Sequence, residues 1–185
     1  MSILTQEQTV QNVYIIMYNR GDKELHLSKN DIIDIHTNFR ESASGISCAF
    51  MIYDGIGIKR YNASVDRDRA YKNQLIGNAM NVGTSVGMKF DVRDKTSGET
   101  YYYMTVEVAE HIGDEYYSYE TNEVMQYICE NIDLEIDVLD ELISIFKLLK
   151  KAAQFMDISD MHTKNIGYHD GKPIIIDFGE DNVNW

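Results

Sequence analysis

Three polar side chains near the end of the chain, Asp160, Asn165 and Asp177, have the types and the spacing of a metal-assisted reaction site. Asp160 and Asn165 lie five residues apart, and Asp177 follows the apolar run at 174–176. Transfer of a phosphoryl group needs one carboxylate to orient the attacking hydroxyl, and an amide oxygen with a second carboxylate to hold Mg²⁺. The pattern predicts Asp160 for the first role and Asn165 and Asp177 as the Mg²⁺ ligands.

The segments around these residues argue against a chance arrangement. Apolar residues recur at helical spacing between residues 134 and 156, which predicts a long amphipathic helix before Asp160. The start of this helix is acidic and lysines lie near its end, an order that the helix dipole favours. The turn "HDG" followed by "KPIIIDF" predicts a short buried strand that leads to Asp177.

The middle of the chain carries the patterns of two hairpins and a helix. Residues 46–62 have β-formers on both sides of "YDG", which predicts two antiparallel strands with Lys59 on the second. Residues 64–80 have helical texture with Ser64 as a possible cap, and strand-forming segments flank "KTSG" at 95–98.

The N-terminal part of the chain is predicted to be helical. Residues 5–19 mix polar and apolar residues and predict a helix, and a second, short helix is predicted after Ser28, with Asp31 completing a capping box. Because strands come first and longer helices later, the whole pattern predicts an α+β fold.

The segment at 134–182 resembles the catalytic core of the protein-kinase-like superfamily. "DMHTKNI" is similar to the Asp-x-His-x-x-Asn loops of atypical and aminoglycoside-type kinases, and "DFG" matches the metal-binding triplet of kinases. The resemblance is strongest to the small serine/threonine kinases of bacteriophages. In those proteins too, a helix ending in Phe leads into an Asp-Met-His-x-x-Asn-Ile loop and little chain follows the metal-binding segment.

This resemblance implies a protein-kinase-like two-lobed fold, with an antiparallel-sheet N-lobe and a minimal, mostly helical C-lobe. On this hypothesis residues 1–38 form an N-terminal helical preface, residues 39–110 an N-lobe with the nucleotide-binding sheet, and residues 111–185 a C-lobe with the catalytic loop and DFG. We expect this C-lobe to lack an activation loop and a full substrate-docking lobe.

The resemblance also assigns ATP-binding residues in the first half of the chain. A small-residue loop at 42–47, with Ser44, Gly45 and Ser47, would let backbone N–H groups approach phosphate oxygens. Lys59 in "IGIK" resembles the V-A-I-K lysine, which pairs with the nucleotide phosphates. The alternative for Lys59 is a solvated lysine on an ordinary strand.

The helix after Lys59 departs from the kinase pattern, because no glutamate occurs between residues 62 and 92. Gln74 is the nearest substitute by spacing for the glutamate that pairs with the lysine in kinases. Its neutral amide could orient Lys59 by hydrogen bonding but would provide no charge pairing. Asp66 and Asp68 are less favoured because they lie too near the start of the helix.

The segment "YYYMTVEVAEH" resembles the strand that leads into the hinge of a kinase. On this mapping Val106 is the gatekeeper, and Glu107, Val108 and Ala109 supply backbone hydrogen bonds to adenine. An ordinary edge strand is the alternative.

The net charge of −13 is concentrated in one part of the chain. Residues 96–146 contain thirteen Asp and Glu residues and neither Lys nor Arg. Direct binding of nucleic acid is disfavoured, because neutralising phosphates requires cations. The block predicts either a solvated acidic face or a docking surface for protein substrates with basic surfaces.

The remaining composition predicts a cytoplasmic protein. Cys48 and Cys129 are expected to be free thiols rather than a disulfide. We expect no signal peptide and no membrane association, since the apolar runs are shorter than the ~20 residues that span a bilayer.

Three functions agree with these patterns. The first is an Mg²⁺- and ATP-dependent serine/threonine kinase that modifies host proteins, acting in host takeover or anti-defence. The second is a pseudokinase or acidic binding protein that inhibits a host protein through its basic surface. The third is a small-molecule kinase of the aminoglycoside type, which the absence of a helical substrate domain disfavours. The sequence makes no prediction about the oligomeric state.

Overall fold

The computed structural model has an α+β fold, and the pairs between its described strands are antiparallel. The described residues are 5–10, 12–41, 43–44, 48–111, 126, 130, 135–154 and 165–177. The chain divides into two compact units, here unit 1 (residues 1–75 and 85–108) and unit 2 (residues 76–84 and 109–185). The predicted α+β class is confirmed.

Unit 1 is built on a seven-stranded sheet with the order β1-β2-β6-β7-β5-β4-β3. Its strands are β1 (Thr5–Val10), β2 (Val13–Tyr18), β3 (Ala43–Ser44), β4 (Cys48–Tyr53), β5 (Ile56–Tyr61), β6 (Val86–Asp94) and β7 (Thr100–Glu107). Helix α1 is Lys29–Asn38, and helix α2 is Ser64–Ala79, of which only the last turn belongs to unit 2.

The prediction of a helix over residues 5–19, and with it a helical preface over residues 1–38, is wrong for residues 5–18. These residues form the β1–β2 hairpin, and β2 continues the sheet by pairing with β6. The physical reason is the pairing of β2 with β6, which buries Ile15 and Met17 on one face of the sheet. The residues of β2 are apolar throughout, so the alternation appears in their burial and not in the sequence.

The two predicted hairpins of the middle segment are confirmed. β4 pairs with β5 through a turn at Asp54 and Gly55, whose φ angles of 48° and 78° match the left-handed conformation of a tight hairpin turn. β6 pairs with β7 around the segment at 95–98. The helix predicted at 64–80 is α2, which lies between these hairpins in the chain.

Each face of the seven-stranded sheet buries its own apolar cluster. One cluster, on the α1 face, comprises Ile15, Met17, Leu27, Ile32, Ile35, Met51, Ile58, Met88, Phe90, Val92 and Tyr103. The other, on the α2 face, comprises Tyr61, Ala70, Tyr71, Val86, Met104 and Val106. Successive residues of a strand point to opposite faces, so Ile58 and Lys59 on β5 belong to different layers.

Unit 2 combines a three-stranded sheet with a long helix. The sheet has the order β10-β9-β8, from β8 (Glu110–His111), β9 (Ile166–His169) and β10 (Lys172–Ile175), and the helix α3 is Ile136–Ala152. α3 confirms the long helix predicted before Asp160, and β10 confirms the predicted short strand. The apolar cluster of this unit comprises Val82, Ile145, Leu148, Leu149, Ala152, Ile166 and Ile175. Within the part of the chain that the structure describes, no helix is long and apolar enough to cross a membrane.

α1 begins with the predicted capping box. The Asp31 N–H donates to Ser28 Oγ at 3.3 Å, and the Ser28 N–H donates to the Asp31 carboxylate at 2.8 Å. These bonds satisfy two N–H groups that a helix N-terminus otherwise leaves to water. The Ser28 bonds also lower the pKa of Asp31 below its usual value.

Removal of the cap by Ser28→Ala should lower the free energy of unfolding by about 1 kcal/mol, the usual cost of losing an N-cap hydroxyl. Urea denaturation followed by circular dichroism measures this change. Thr37→Ala is the matched control, because the Thr37 hydroxyl on the same helix only donates back to the Ile33 carbonyl. A loss as large in the control as in Ser28→Ala would contradict a specific role for the cap.

Candidate functional site

Lys59 is buried inside unit 1 and is not a solvated strand lysine. It retains 6% of its surface exposed and lies on β5, opposite Phe50 of β4 and Met104 of β7. Met104 belongs to the apolar cluster on the α2 face and Phe50 packs against that cluster, so Lys59 lies on that face as well. A lysine is rarely buried to this extent without a partner that uses its charge.

Gln74 lies on the face of α2 that packs against the same layer. It follows Ala70 by four residues and Tyr71 by three, the spacing of neighbours on one helix face. Gln74 is 1% exposed, and Ala70 and Tyr71 belong to the cluster on the α2 face of the sheet. The structure therefore brings Lys59 and Gln74, fifteen residues apart in the chain, into one sheet–helix layer.

A buried arginine that the sequence analysis missed attaches the start of α2 to the sheet. Arg67 is 2% exposed, and its Nη1 donates to the carboxylate of Asp91 and, at 3.3 Å, to the Phe90 carbonyl on β6. Its Nε donates to Asp68 at 2.9 Å, and Lys89 Nζ lies 2.5 Å from the same carboxylate oxygen. No local pattern could have indicated Asp91 as a partner, because it lies 24 residues away on another element.

This network explains why Asp68 is a poor partner for Lys59. Burial alone would raise the pKa of Asp68, but the hydrogen bond from Lys89 and the charge of Arg67 outweigh it, and the pKa is lowered. The Asp68 carboxylate is therefore held in its charged form by two other cations. Gln74 remains the residue of α2 that the spacing and the burial both favour as the neighbour of Lys59.

The segment predicted to contact adenine begins at the end of β7. Val106 is 3% exposed and belongs to the cluster on the Lys59 face of the sheet. The Glu107 N–H donates to the Ser85 carbonyl at 2.9 Å, and the Glu107 carboxylate accepts the Ser85 N–H at 3.0 Å. Because that N–H is engaged, it is not available to adenine, and the backbone contacts predicted for Glu107, Val108 and Ala109 stay predictions.

In unit 2, the β9–β10 hairpin brings Asn165 and Asp177 to the same end. Ile166 is paired with Ile175, and the Ile176 N–H donates to the Asn165 carbonyl at 2.9 Å. Asn165 therefore lies across from Ile176, and Asp177 is the next residue along the chain. The sequence analysis predicted β10 but missed β9, whose four residues "IGYH" look like part of a loop.

The turn and the packing of this hairpin fix its register. Asp170 and Gly171 have φ angles of 50° and 71°, as a two-residue hairpin turn requires. A Cβ atom at Gly167 on β9 would lie 2.7 Å from the Glu110 carbonyl of β8, so only glycine fits there. The hydroxyl of Tyr168 donates to Glu141 on α3 at 2.6 Å, which attaches the hairpin to the helix.

Asn165 and Asp177 supply the kind of atoms that Mg²⁺ prefers. The ion takes hard oxygen ligands and is usually bound by one or two carboxylates together with substrate phosphates. Among the described residues there is no group of three or more His, Cys, Asp or Glu that could hold a metal ion. A site at this hairpin would therefore depend on the amide oxygen of Asn165 and on ligands from the nucleotide.

The remaining predicted site residues lie at or beyond the edge of the described residues. Ser44 ends β3, where it is paired with Ala49 of β4. Gly45, Ser47 and Asp160 lie outside the described residues. Their roles in phosphate binding and hydroxyl orientation stay predictions.

Comparisons with known proteins assign no family to this chain. No family model, no curated protein and no solved structure matches it.

Replacing the buried arginine by Arg67→Met should lower the free energy of unfolding by about 3 kcal/mol, because it leaves the largely buried Asp91 carboxylate without its main partner. Urea denaturation checks this value. Arg93→Met is the matched control, since Arg93 is an exposed residue of β6, the strand that carries Asp91. This substitution should change the free energy of unfolding by less than about 0.5 kcal/mol. Equal unfolding midpoints for Arg67→Met and the parent protein would refute the anchoring role.

Proposed function

We propose that this protein is an Mg²⁺- and ATP-dependent serine/threonine protein kinase with a kinase-like two-lobed fold and a minimal C-lobe. The observation that carries the proposal is the β9–β10 hairpin, which holds the Asn165 carbonyl 2.9 Å from the Ile176 nitrogen and so brings Asn165 and Asp177 to one end. Phosphoryl transfer depends on positioning and on charge stabilisation rather than on covalent chemistry by the protein. A rigid support for two metal ligands is what such a reaction requires.

Each residue has a role that follows from its chemistry. When bound, Mg²⁺–ATP supplies the phosphoryl group and a cation that neutralises charge on the phosphate oxygens. Asn165 and Asp177 hold the cation, and Lys59 pairs with phosphate oxygens from its buried position on β5. Asp160 accepts the proton of the substrate hydroxyl and orients its oxygen for attack. Gln74 orients Lys59 through its amide oxygen.

Backbone groups complete the nucleotide site in this proposal. N–H groups of the loop that contains Ser44, Gly45 and Ser47 bind the phosphates. Backbone groups of Val108 and Ala109, with the Glu107 carbonyl, bind the adenine. The small residues Ser44, Gly45 and Ser47 support this role, because they let a phosphate approach the main chain closely.

The substrates we propose are host proteins with basic surfaces, and the source we propose is a bacteriophage acting in host takeover or anti-defence. Residues 109–185 carry seventeen Asp and Glu residues but five Lys and no Arg, so nearly the whole net charge of −13 belongs to unit 2. Asp137, Asp140 and Glu141 are exposed on the first turns of α3. Such a surface attracts Lys- and Arg-rich segments, and the attraction weakens as salt increases.

One observation favours a second candidate, a pseudokinase or acidic binding protein that inhibits its host partner without modifying it. Gln74, which α2 contributes to the Lys59 layer, carries an amide and not a carboxylate. A neutral amide stabilises an ammonium group less than a carboxylate does. Incubation of the protein with labelled ATP, Mg²⁺ and a bacterial lysate distinguishes the two, because only the kinase transfers label to a protein.

Asp177→Asn should abolish stabilisation of the protein by Mg²⁺–ATP and reduce label transfer. A ligand present at 100 times its dissociation constant stabilises the folded state by about 2.7 kcal/mol, which thermal unfolding detects readily.

Asp160→Ala should keep this stabilisation but lower transfer of label by roughly 10²–10⁴-fold, the usual contribution of a general base.

The matched control for Asp177→Asn is Asp170→Asn, at the turn of the same hairpin. Asn tolerates the left-handed conformation of this turn, and Asp170 is exposed and far along the strands from the Asp177 end. Transfer by Asp160→Ala at the parent rate would refute its assignment as the residue that orients the hydroxyl. Absence of any Mg²⁺–ATP stabilisation in the parent protein would refute the kinase proposal as a whole.

Gln74→Glu tests whether α2 supplies the partner of Lys59. A carboxylate of the same shape should orient Lys59 more strongly and raise label transfer by about fivefold, since charge-assisted hydrogen bonds are roughly twice as strong as neutral ones. Gln74→Met, which keeps the volume but removes the amide, should lower transfer. Equal rates for the parent and both variants would show that Gln74 does not act on Lys59.

A further inference from the structure

The end of α2 is closed by a Schellman cap, a turn in which one residue adopts a left-handed conformation. Asn81 has a φ angle of 52°, and its N–H donates to the Asn78 carbonyl at 2.8 Å. The N–H groups of Val82 and Gly83 both donate to the Gly77 carbonyl, at 2.9 and 3.1 Å. This cap sets the direction in which the chain leaves the helix.

The segment that leaves the cap pairs with the strand that leads to Asp177. The Val82 carbonyl accepts the Ile175 N–H at 2.8 Å, and Gly83 forms a parallel bridge with Ile175. The Val82 side chain is fully buried and belongs to the same apolar cluster as Ile166 and Ile175, one from each strand of the hairpin. These contacts support β10 from the side opposite β9, two residues before Asp177.

We propose that the capped end of α2 positions the Asp177 end of the β9–β10 hairpin, with Asn81 as the positioning residue. This inference rests on the proposed function, in which Asn165 and Asp177 hold Mg²⁺. A hairpin strand supported on one side only can shift at its end, whereas hydrogen bonds on both sides restrain it. A change in the cap is transmitted to Ile175 directly, because the Val82 N–H takes part in the cap and the Val82 carbonyl accepts the Ile175 N–H.

The consequence is a link between α2 and metal binding. Any ligand or partner that favours the capped form of the end of α2 would favour the hairpin position that binds Mg²⁺, and any that opens the cap would weaken binding. The coupling is reciprocal, so Mg²⁺–nucleotide should also protect the cap from opening.

The test compares Asn81→Val with Asn81→Gly. Asn81 is exposed, so neither substitution removes a buried contact. Valine is strained at a positive φ and should favour an open cap, whereas glycine adopts this conformation freely and should preserve the cap. The two variants therefore differ in the backbone conformation that residue 81 favours, and neither changes a residue of the β9–β10 hairpin.

Two measurements separate this inference from the proposed function. In Asn81→Val, hydrogen exchange at the Ile175 and Ile176 amides should become on the order of tenfold faster than in the parent protein. This increase should clearly exceed any increase at the Phe90 amide in unit 1. The Mg²⁺ concentration that half-saturates nucleotide binding should rise several-fold in Asn81→Val. In EDTA, which removes Mg²⁺, Asn81→Val and the parent protein should bind nucleotide equally. Asn81→Gly should match the parent protein in every measurement.

Each contrary outcome would overturn a different claim. Unchanged exchange at Ile175 and Ile176 in Asn81→Val would overturn the link between the cap and the hairpin, whatever the protein catalyses. Faster exchange with an unaltered Mg²⁺ requirement would overturn the positioning of the metal ligand and leave the kinase proposal standing. A parent protein that binds nucleotide without any Mg²⁺ dependence would overturn the metal roles in both proposals.

Discussion

The hydrogen bond from the Ile176 N–H to the Asn165 carbonyl, 2.9 Å long, closes the open end of the β9–β10 hairpin. Side chains alternate along a strand, so a slip of one residue in this pairing would turn every side chain of β10 to the other face. The left-handed turn at Asp170 and Gly171 prevents such a slip. The proposed metal chemistry depends on this register, because it brings together two residues that the sequence separates by twelve positions.

Unit 1 buries two cations, Arg67 and Lys59, in the layer between its sheet and α2. Burial of a charge costs several kcal/mol unless a partner compensates it. Arg67 is compensated by two carboxylates, Asp68 and Asp91, and the pair with Asp91 on β6 anchors the start of the helix. Lys59 is buried in the same layer as Gln74, an amide residue of α2.

In the proposed function, the net charge of the whole chain makes a buried cation such as Lys59 more important for nucleotide binding. ATP is a polyanion, and a protein with a net charge of −13 repels it at long range. Lys59 and a divalent cation held by Asn165 and Asp177 would each offset this repulsion locally, where low dielectric strengthens their effect. The same acidic surface would attract a basic protein substrate, so substrate and nucleotide would be selected by opposite charges.

Local sequence patterns are sufficient to predict several elements of the fold. Both middle hairpins, α2, α3 and the capping box at Ser28 follow from turn residues, apolar periodicity and cap residues that lie within a few positions of one another. The strands β1, β2 and β9 do not follow from such patterns. Residues 5–18 form strands because β2 pairs with β6, about 75 positions away in the chain, and short segments without a strong period are decided by such partners.

The same division applies to the candidate site. The sequence by itself was sufficient to propose Asn165, Asp177 and Lys59 as site residues, because their types and spacing are local properties. Only the tertiary structure decided that Lys59 is buried, that Asp68 is engaged by Lys89, and that the end of α2 supports β10. Each of these facts depends on contacts between segments distant in the chain, and no pattern within one segment encodes them.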